Sequence, residues 1–230
     1  MIQSSENMEN ENILSKEKIE EEILVSKAEE RPSNFRGKIL SDLFFQERTF
    51  ETGLDFEGAV ILGPVYLQNA KINGDLNFNK TIVKKAFYLG SAHINGDINL
   101  EQADIRGVVN LVGAEIKGNL NFNELNISGF LSLAKAKVDG NLNIQRTRLN
   151  DSYNTGLVIK GDLYLRDAVI NGYLDIENGM IEGSLDLFNT FIGKNVNLKK
   201  ALIKDSLILK KSKIQGELIT ENIKYEHIIR

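Results

Sequence analysis

The chain has no cysteine and no tryptophan, and only two prolines and two histidines in 230 residues. Without cysteine there is no disulfide framework, no thiolate metal site and no cysteine nucleophile. The two histidines, His93 and His227, are too far apart in sequence to form a ligand cluster, and His93 falls between inward Ala92 and Ile94, so it is expected to point into solvent. No phosphate loop, nucleophile elbow or zinc spacing occurs. No window approaches 18 consecutive apolar residues, which argues against a membrane-spanning helix. The polar, acidic stretch Met1 to Asn12 lacks the basic-then-apolar order of a secretory signal. The expected location is the cytoplasm, and no cofactor is expected.

Scarce proline combined with evenly spaced glycine points to long regular pairing with recurring bends. The apolar share of 42% and charged share of 26% are ordinary for a globular chain and exclude wholesale disorder. The net charge of −4 hides an asymmetry. Residues 1–30 carry nine Glu against three Lys, whereas residues 190–230 carry nine Lys or Arg against four Asp or Glu. Such polarity along an elongated molecule favours contact between unlike ends.

Internal periodicity decides the fold. Ala70-Lys-Ile72-Asn-Gly74-Asp-Leu76-Asn-Phe78 returns as Ala92-His-Ile94-Asn-Gly96-Asp-Ile98-Asn-Leu100, and further copies lie at steps of 11. About sixteen such units run between Arg48 and Thr220. Apolar residues fall on every second position, which is the periodicity of a strand. Gly between two short apolar pairs reads as a corner, and the two polar residues that close each unit make the next one. Alternate units resemble each other most, so 11 residues are half of a 22-residue coil. The expected architecture is an all-β, single-stranded β-solenoid of about eight coils, each of two 11-residue repeats. At the strand spacing this makes a rod of about 38 Å.

Three segments follow from this pattern. Residues 1–47 are expected to hold an acidic amphipathic helix, with Ile19, Ile23 and Leu24 among its apolar positions, that caps the rod or, on a sharper reading, joins copies of the chain; Ser15 with Lys18 does not form a capping box. Residues 48–220 are the repeat domain, and residues 221–230 a short second cap. The unit Thr147/Leu149/Asp151/Tyr153/Thr155 is degenerate, and the following one starts a residue early at Leu157, which predicts a protruding or kinked coil.

The outward columns Asp75, Asp97, Asn119, Asn141, Asp162, Ser184 and Asn77, Asn99, Asn121, Asn143 suit amide-to-amide stacking along the rod, a structural role needing no ligand. Lys199, Lys200, Lys210, Lys211 and Lys213 form a basic region that is the candidate partner-binding site. No aromatic side chains for stacking bases lie beside it, so nucleic acid is not favoured as a partner.

At the level of A-x-I-x-G-[DN]-L-x-L the repeats resemble bacterial pentapeptide-repeat proteins, which implies a right-handed, roughly square β-helix. The elements Ile72 to Leu76 and Ile94 to Ile98 are also similar to bactofilins, which implies a cytoskeletal solenoid that associates end to end without nucleotide. The expected function is a non-enzymatic scaffold or protein-interaction rod that self-associates end to end. Two alternatives stand behind it. One is a charge mimic of DNA that binds a protein, which would need a denser acidic face than the near-neutral middle offers. The other is a carbohydrate-active or acyl-transferring enzyme, for which the polar residues around Asp151 and Tyr153 are isolated candidates.

Overall fold

The structure, a computed structural model, describes residues 13–145, 148–150, 153–155, 158–159 and 161–230. Its strands are almost all two residues long and stack in parallel into four sheets that form the sides of a square coil. Taken in chain order, the first face starts at Ser33–Asn34, the second at Ile39–Leu40, the third at Leu43–Phe44 and the fourth at Thr49–Phe50. The first and third faces have nine strands and the second and fourth eight, giving about eight turns of an all-β solenoid. Successive turns pair 22 residues apart, as Leu76 with Ile98 and Phe87 with Val109. The 11-residue unit is therefore two sides. The coil path begins at Ser33, ahead of Arg48, and His227–Ile229 still pairs with Ser206–Ile208 on the third face.

Why a two-residue strand suffices follows from the spacing of the corners. Between Leu54 and Leu142, strand starts alternate between six and five residues apart, as in 54, 60, 65, 71 and 76. Each longer corner holds one residue in the left-handed region, recurring every 11 residues, as at Asn69, Lys80, Ser91 and Gln102 with φ of 57°, 57°, 55° and 59°. That conformation costs a non-glycine residue about 1 kcal/mol. The chain tolerates it because the corner amides point along the rod to carbonyls of the next turn, as Asn69 N–H to Gly90 O at 3.0 Å and Lys80 N–H to Glu101 O at 2.8 Å.

The repeated glycines have a different cause from the turning role expected of them. Gly74, Gly96, Gly118 and Gly140 are not in the left-handed region. They sit so close to the preceding coil that a side chain has no room. A Cβ on Gly118 would lie 2.6 Å from the Gly96 carbonyl oxygen, and one on Gly140 would lie 2.5 Å from that of Gly118.

Inside the square, leucine, isoleucine and phenylalanine from all four sides are fully buried beside two columns of small residues, one with Ala59 and Ala103 and the other with Ala70 and Ala92. Phe56 stacks on Phe78 at 4.6 Å between ring centroids, and Phe78 meets Phe87 edge-on at 4.8 Å. Where threonine replaces alanine, its buried hydroxyl is satisfied. Thr81 donates to Phe56 O at 2.7 Å and Thr190 to Leu165 O at 2.6 Å.

Helix α1, Lys16–Ala28, lies over the N-terminal end of the coil. Ser15 is its N-cap and accepts the Lys18 N–H at 3.4 Å, so the start left open by the missing capping box is made by serine alone. Ile19 is buried against the coil, and the Ser26 and Ser33 hydroxyls meet at 2.6 Å. Glu20 takes both ends of the Arg48 guanidinium at 2.6 and 2.8 Å, tying the helix to the fourth-face side of the first turn. The segment Met1 to Asn12 lies outside the described residues.

The irregular unit leaves the coil altogether. Arg148–Asn150 pairs antiparallel with Tyr153–Thr155 as a small hairpin, while Asn126–Ile127 pairs directly with Val158–Ile159. That turn is 32 residues long, the usual 22 with ten added. Thr147, Asp151 and Gly156 of that unit, and the Tyr153 side chain, lie outside the described residues.

Candidate interaction surface

Outward side chains on the first face are occupied in holding the coil. Each Asp or Asn after the glycine has a backbone N–H that the strand ladder leaves over, and the side chain one turn earlier accepts it. Asp75 accepts from Asp97 N–H at 2.8 Å, Asp97 from Asn119 at 2.6 Å, and Asn119 from Asn141 at 3.0 Å. The second column works within its own turn. Asn77, Asn99 and Asn121 each accept the N–H two residues on, at 3.1, 3.0 and 3.2 Å. The expected amide-to-amide stacking is thus mainly side chain to backbone.

One assignment in these columns changes. Asp162 and Ser184 do not continue the series from Asn141. Tyr173, Asn195 and Glu217 do, with Tyr173 N–H on Asn141 Oδ1 at 3.2 Å and Glu217 N–H on Asn195 Oδ1 at 3.0 Å. Asp162 and Ser184 stand on the third face, where Ser184 N–H meets Asp162 Oδ1 at 2.7 Å. The cause is the hairpin: a ten-residue excursion shifts an 11-residue count by one and exchanges opposite faces. Beside Tyr173 lies a shallow depression of about 540 Å³, lined also by Lys194, Asn195 and Gln215.

The third face is built differently. Val65, Phe87, Val109 and Leu131 point inward and are buried. The positions around them point out and read Pro64-Tyr66-Gln68, Ala86-Tyr88-Gly90, Val108-Asn110-Val112 and Phe130-Ser132-Ala134 over four successive turns. None is charged. At the N-terminal end of this stripe the rings of Phe44, Tyr66 and Tyr88 stack at 5.4 Å per step, with interplanar angles of 16° and 6°. Phe44 is 51% exposed, Val112 36% and Phe130 37%, so the stripe presents apolar surface to solvent.

Charged residues border the stripe. Lys84, Lys85 and Arg106 are exposed at the corner with the second face, and Lys135 at the corner with the fourth. Arg106 lies 3.4 Å from Asp104, while no ion pair among the described residues holds Lys84, Lys85 or Lys135. Toward the C-terminus the stripe ends in a charged group. Tyr164 donates to Asp162, a bond that together with burial pushes its hydroxyl pKa up. Arg166 holds the buried Asp186 at 2.8 Å and lies over the Phe188 ring.

The five lysines proposed from the sequence fall on two corners. Lys199 and Lys200 flank the corner between the first and second faces, and Lys210, Lys211 and Lys213 the diagonally opposite one. Lys199 is engaged by Glu221 at 2.6 Å, which raises its pKa, and Lys211 lies 5.4 Å from the Phe188 ring centre. His93 points outward as expected and comes within 3.5 Å of Glu115 one turn on. The third-face stripe went unread in the sequence, although its signal is there. The alternate units around Gly107 and Gly129 carry Val108 and Phe130 where the others carry Asp or Asn.

Compared with known protein families, with curated proteins and with solved structures, the chain shows no match. Among the described residues no helix is long and apolar enough to cross a membrane.

Proposed function

We propose that this chain is a non-enzymatic scaffold, an interaction rod that associates with further copies of itself. The uncharged stripe from Pro64 to Ala134, with Phe44 stacked on its N-terminal end, carries the reading, since an exposed apolar surface on an otherwise charged rod is the usual mark of a protein-binding face. Two further features support it. The polar groups of the first face are occupied by backbone N–H groups of the same chain, which leaves them little freedom to act on a substrate. The acidic start and basic end of the chain favour contact between unlike ends, in keeping with the repeat-level resemblance to bactofilins. No feature of the first face supplies the dense, continuous acidity that a DNA mimic needs, because asparagine replaces aspartate in the middle turns.

Light scattering and negative-stain microscopy on the purified protein test the proposal. Oligomers that grow with concentration and weaken with salt are expected, because salt screens the charged borders more than the apolar stripe. A strict monomer at high concentration overturns it.

A further inference from the structure

We infer that the third-face stripe of one copy receives the outer side of helix α1 of a second copy, an inference that rests on the self-associating reading above. Helix α1 offers the matching surface. Its inner side is used, with Ile19 and Ser26 buried on the coil. Its outer side is not: Leu24, which the sequence pattern grouped with the covered apolar residues, is 67% exposed and Val25 39%. Glu17, Glu21 and Leu24 stand three and four residues apart, so they form one line on the helix surface.

Size and charge both fit. Thirteen helical residues span about 20 Å, and four turns of the stripe span about 19 Å at the strand spacing. Residues 16–30 carry six Glu and three Lys. Glu20 is taken by Arg48, and Glu22 and Glu29 by Arg31. Glu17 and Glu21, by contrast, flank the exposed leucine and have no ion pair among the described residues. The stripe brings no charge of its own and is bordered by Lys84, Lys85 and Lys135. An acidic helix with an apolar tip therefore meets an apolar strip with a basic border, with Leu24 and Val25 against Val112 and Phe130.

A helix cannot reach the stripe of its own chain in this way, because its outer side faces away from the coil that its inner side covers. The contact joins two different surfaces of two copies. Such a head-to-flank contact is heterologous and builds rings or open assemblies of more than two copies.

Two single variants at exposed positions separate this arrangement from others. Leu24→Glu removes the helix tip, and Val112→Glu sets a carboxylate in the stripe against Glu17 and Glu21. Each should keep the wild-type circular dichroism and weaken self-association by about tenfold or more in sedimentation velocity. Mixed in equal amounts, the two should form a one-to-one complex that grows no further, because one copy keeps an intact stripe and the other an intact helix. If Leu24→Glu associates like wild type, or if the mixture stays monomeric while wild type associates, the helix is not the occupant; self-association itself then still stands. A monomeric wild type would overturn both.

Discussion

The first and third faces share strand length, parallel register and buried leucines, yet they differ in how many of their outward side chains serve the backbone. On the first face the repeated Asp and Asn accept backbone N–H groups that the strand ladder leaves over, so that every polar group added is consumed by the rod itself. On the third face, over four turns, the positions that match the Asp and Asn acceptors hold Pro64, Ala86, Val108 and Phe130, which accept nothing from the backbone, while Asn110 and Ser132 still take the N–H two residues on, at 2.9 and 3.4 Å. A solenoid needs only its inward residues to fold. One face has spent its outward residues on cohesion, and the other presents apolar side chains to solvent.

The difference is sharpest at glycine. Gly118→Ala on the first-face side would drive a Cβ to 2.1 Å from Asp97 Oδ1 and 2.6 Å from Gly96 O, so the coils must part, at a cost of about 3 kcal/mol. Gly90→Ala on the third face meets nothing nearer than 3.6 Å and has no left-handed backbone to strain, so it should stabilise by about 0.5 kcal/mol. Urea midpoints that move in opposite directions would bear out the contrast, and a tolerated Gly118→Ala would break it.

A smaller effect is expected at the polar ladder. Asn119→Ala removes the acceptor of Asn141 N–H and should cost about 1–2 kcal/mol, whereas Val108→Asn at the equivalent third-face position should lie within about 0.5 kcal/mol of wild type. Equal midpoints for the two variants would mean that the ladder is not what holds the first face.

The smallest effect is set by pH. Glu22 accepts hydrogen bonds from Arg31 and from Asn34 N–H, where the first face begins under the helix, and the Arg31 guanidinium holds its carboxyl below the usual range against the opposing effect of burial. A carboxylate so lowered lends stability that is complete above the ordinary carboxylate pKa and is lost as pH falls through the lowered value. The protection of the Asn34 amide, corrected for intrinsic exchange, should therefore hold in mild acid and fall once pH drops below the ordinary carboxylate range. The third-face stripe has no group that titrates there, and amides such as Tyr88 N–H should keep their protection.

Much of this fold was legible in the sequence. The 11-residue period, the small residue before each apolar pair and the Asp and Asn columns sufficed for a 22-residue coil, because the interior imposes one side-chain size at each position. Two things were hidden for physical reasons. Gly74, Gly96 and Gly118 look like corner glycines, but their cause is the approach of the neighbouring turn, which no single unit displays. The insertion that carries the hairpin is ten residues long, one short of the period, and so passes for a slip of one residue; this moved Asp162 and Ser184 onto the wrong face and hid Tyr173 from the first. The stripe itself escaped because attention to polar columns passes over positions such as Ala86 and Val108, whose meaning lies in the charge they lack.

The hairpin also shows what kind of material this rod is. With ten residues spliced between two neighbouring turns, Asn126 still pairs with Val158 and Leu131 with Leu163, in the register used everywhere else. The register of the coil is thus independent of the residues inserted at that corner. A segment grafted at that corner would be carried at a fixed height along the shaft, as a branch is by a trunk, without lengthening or twisting what bears it.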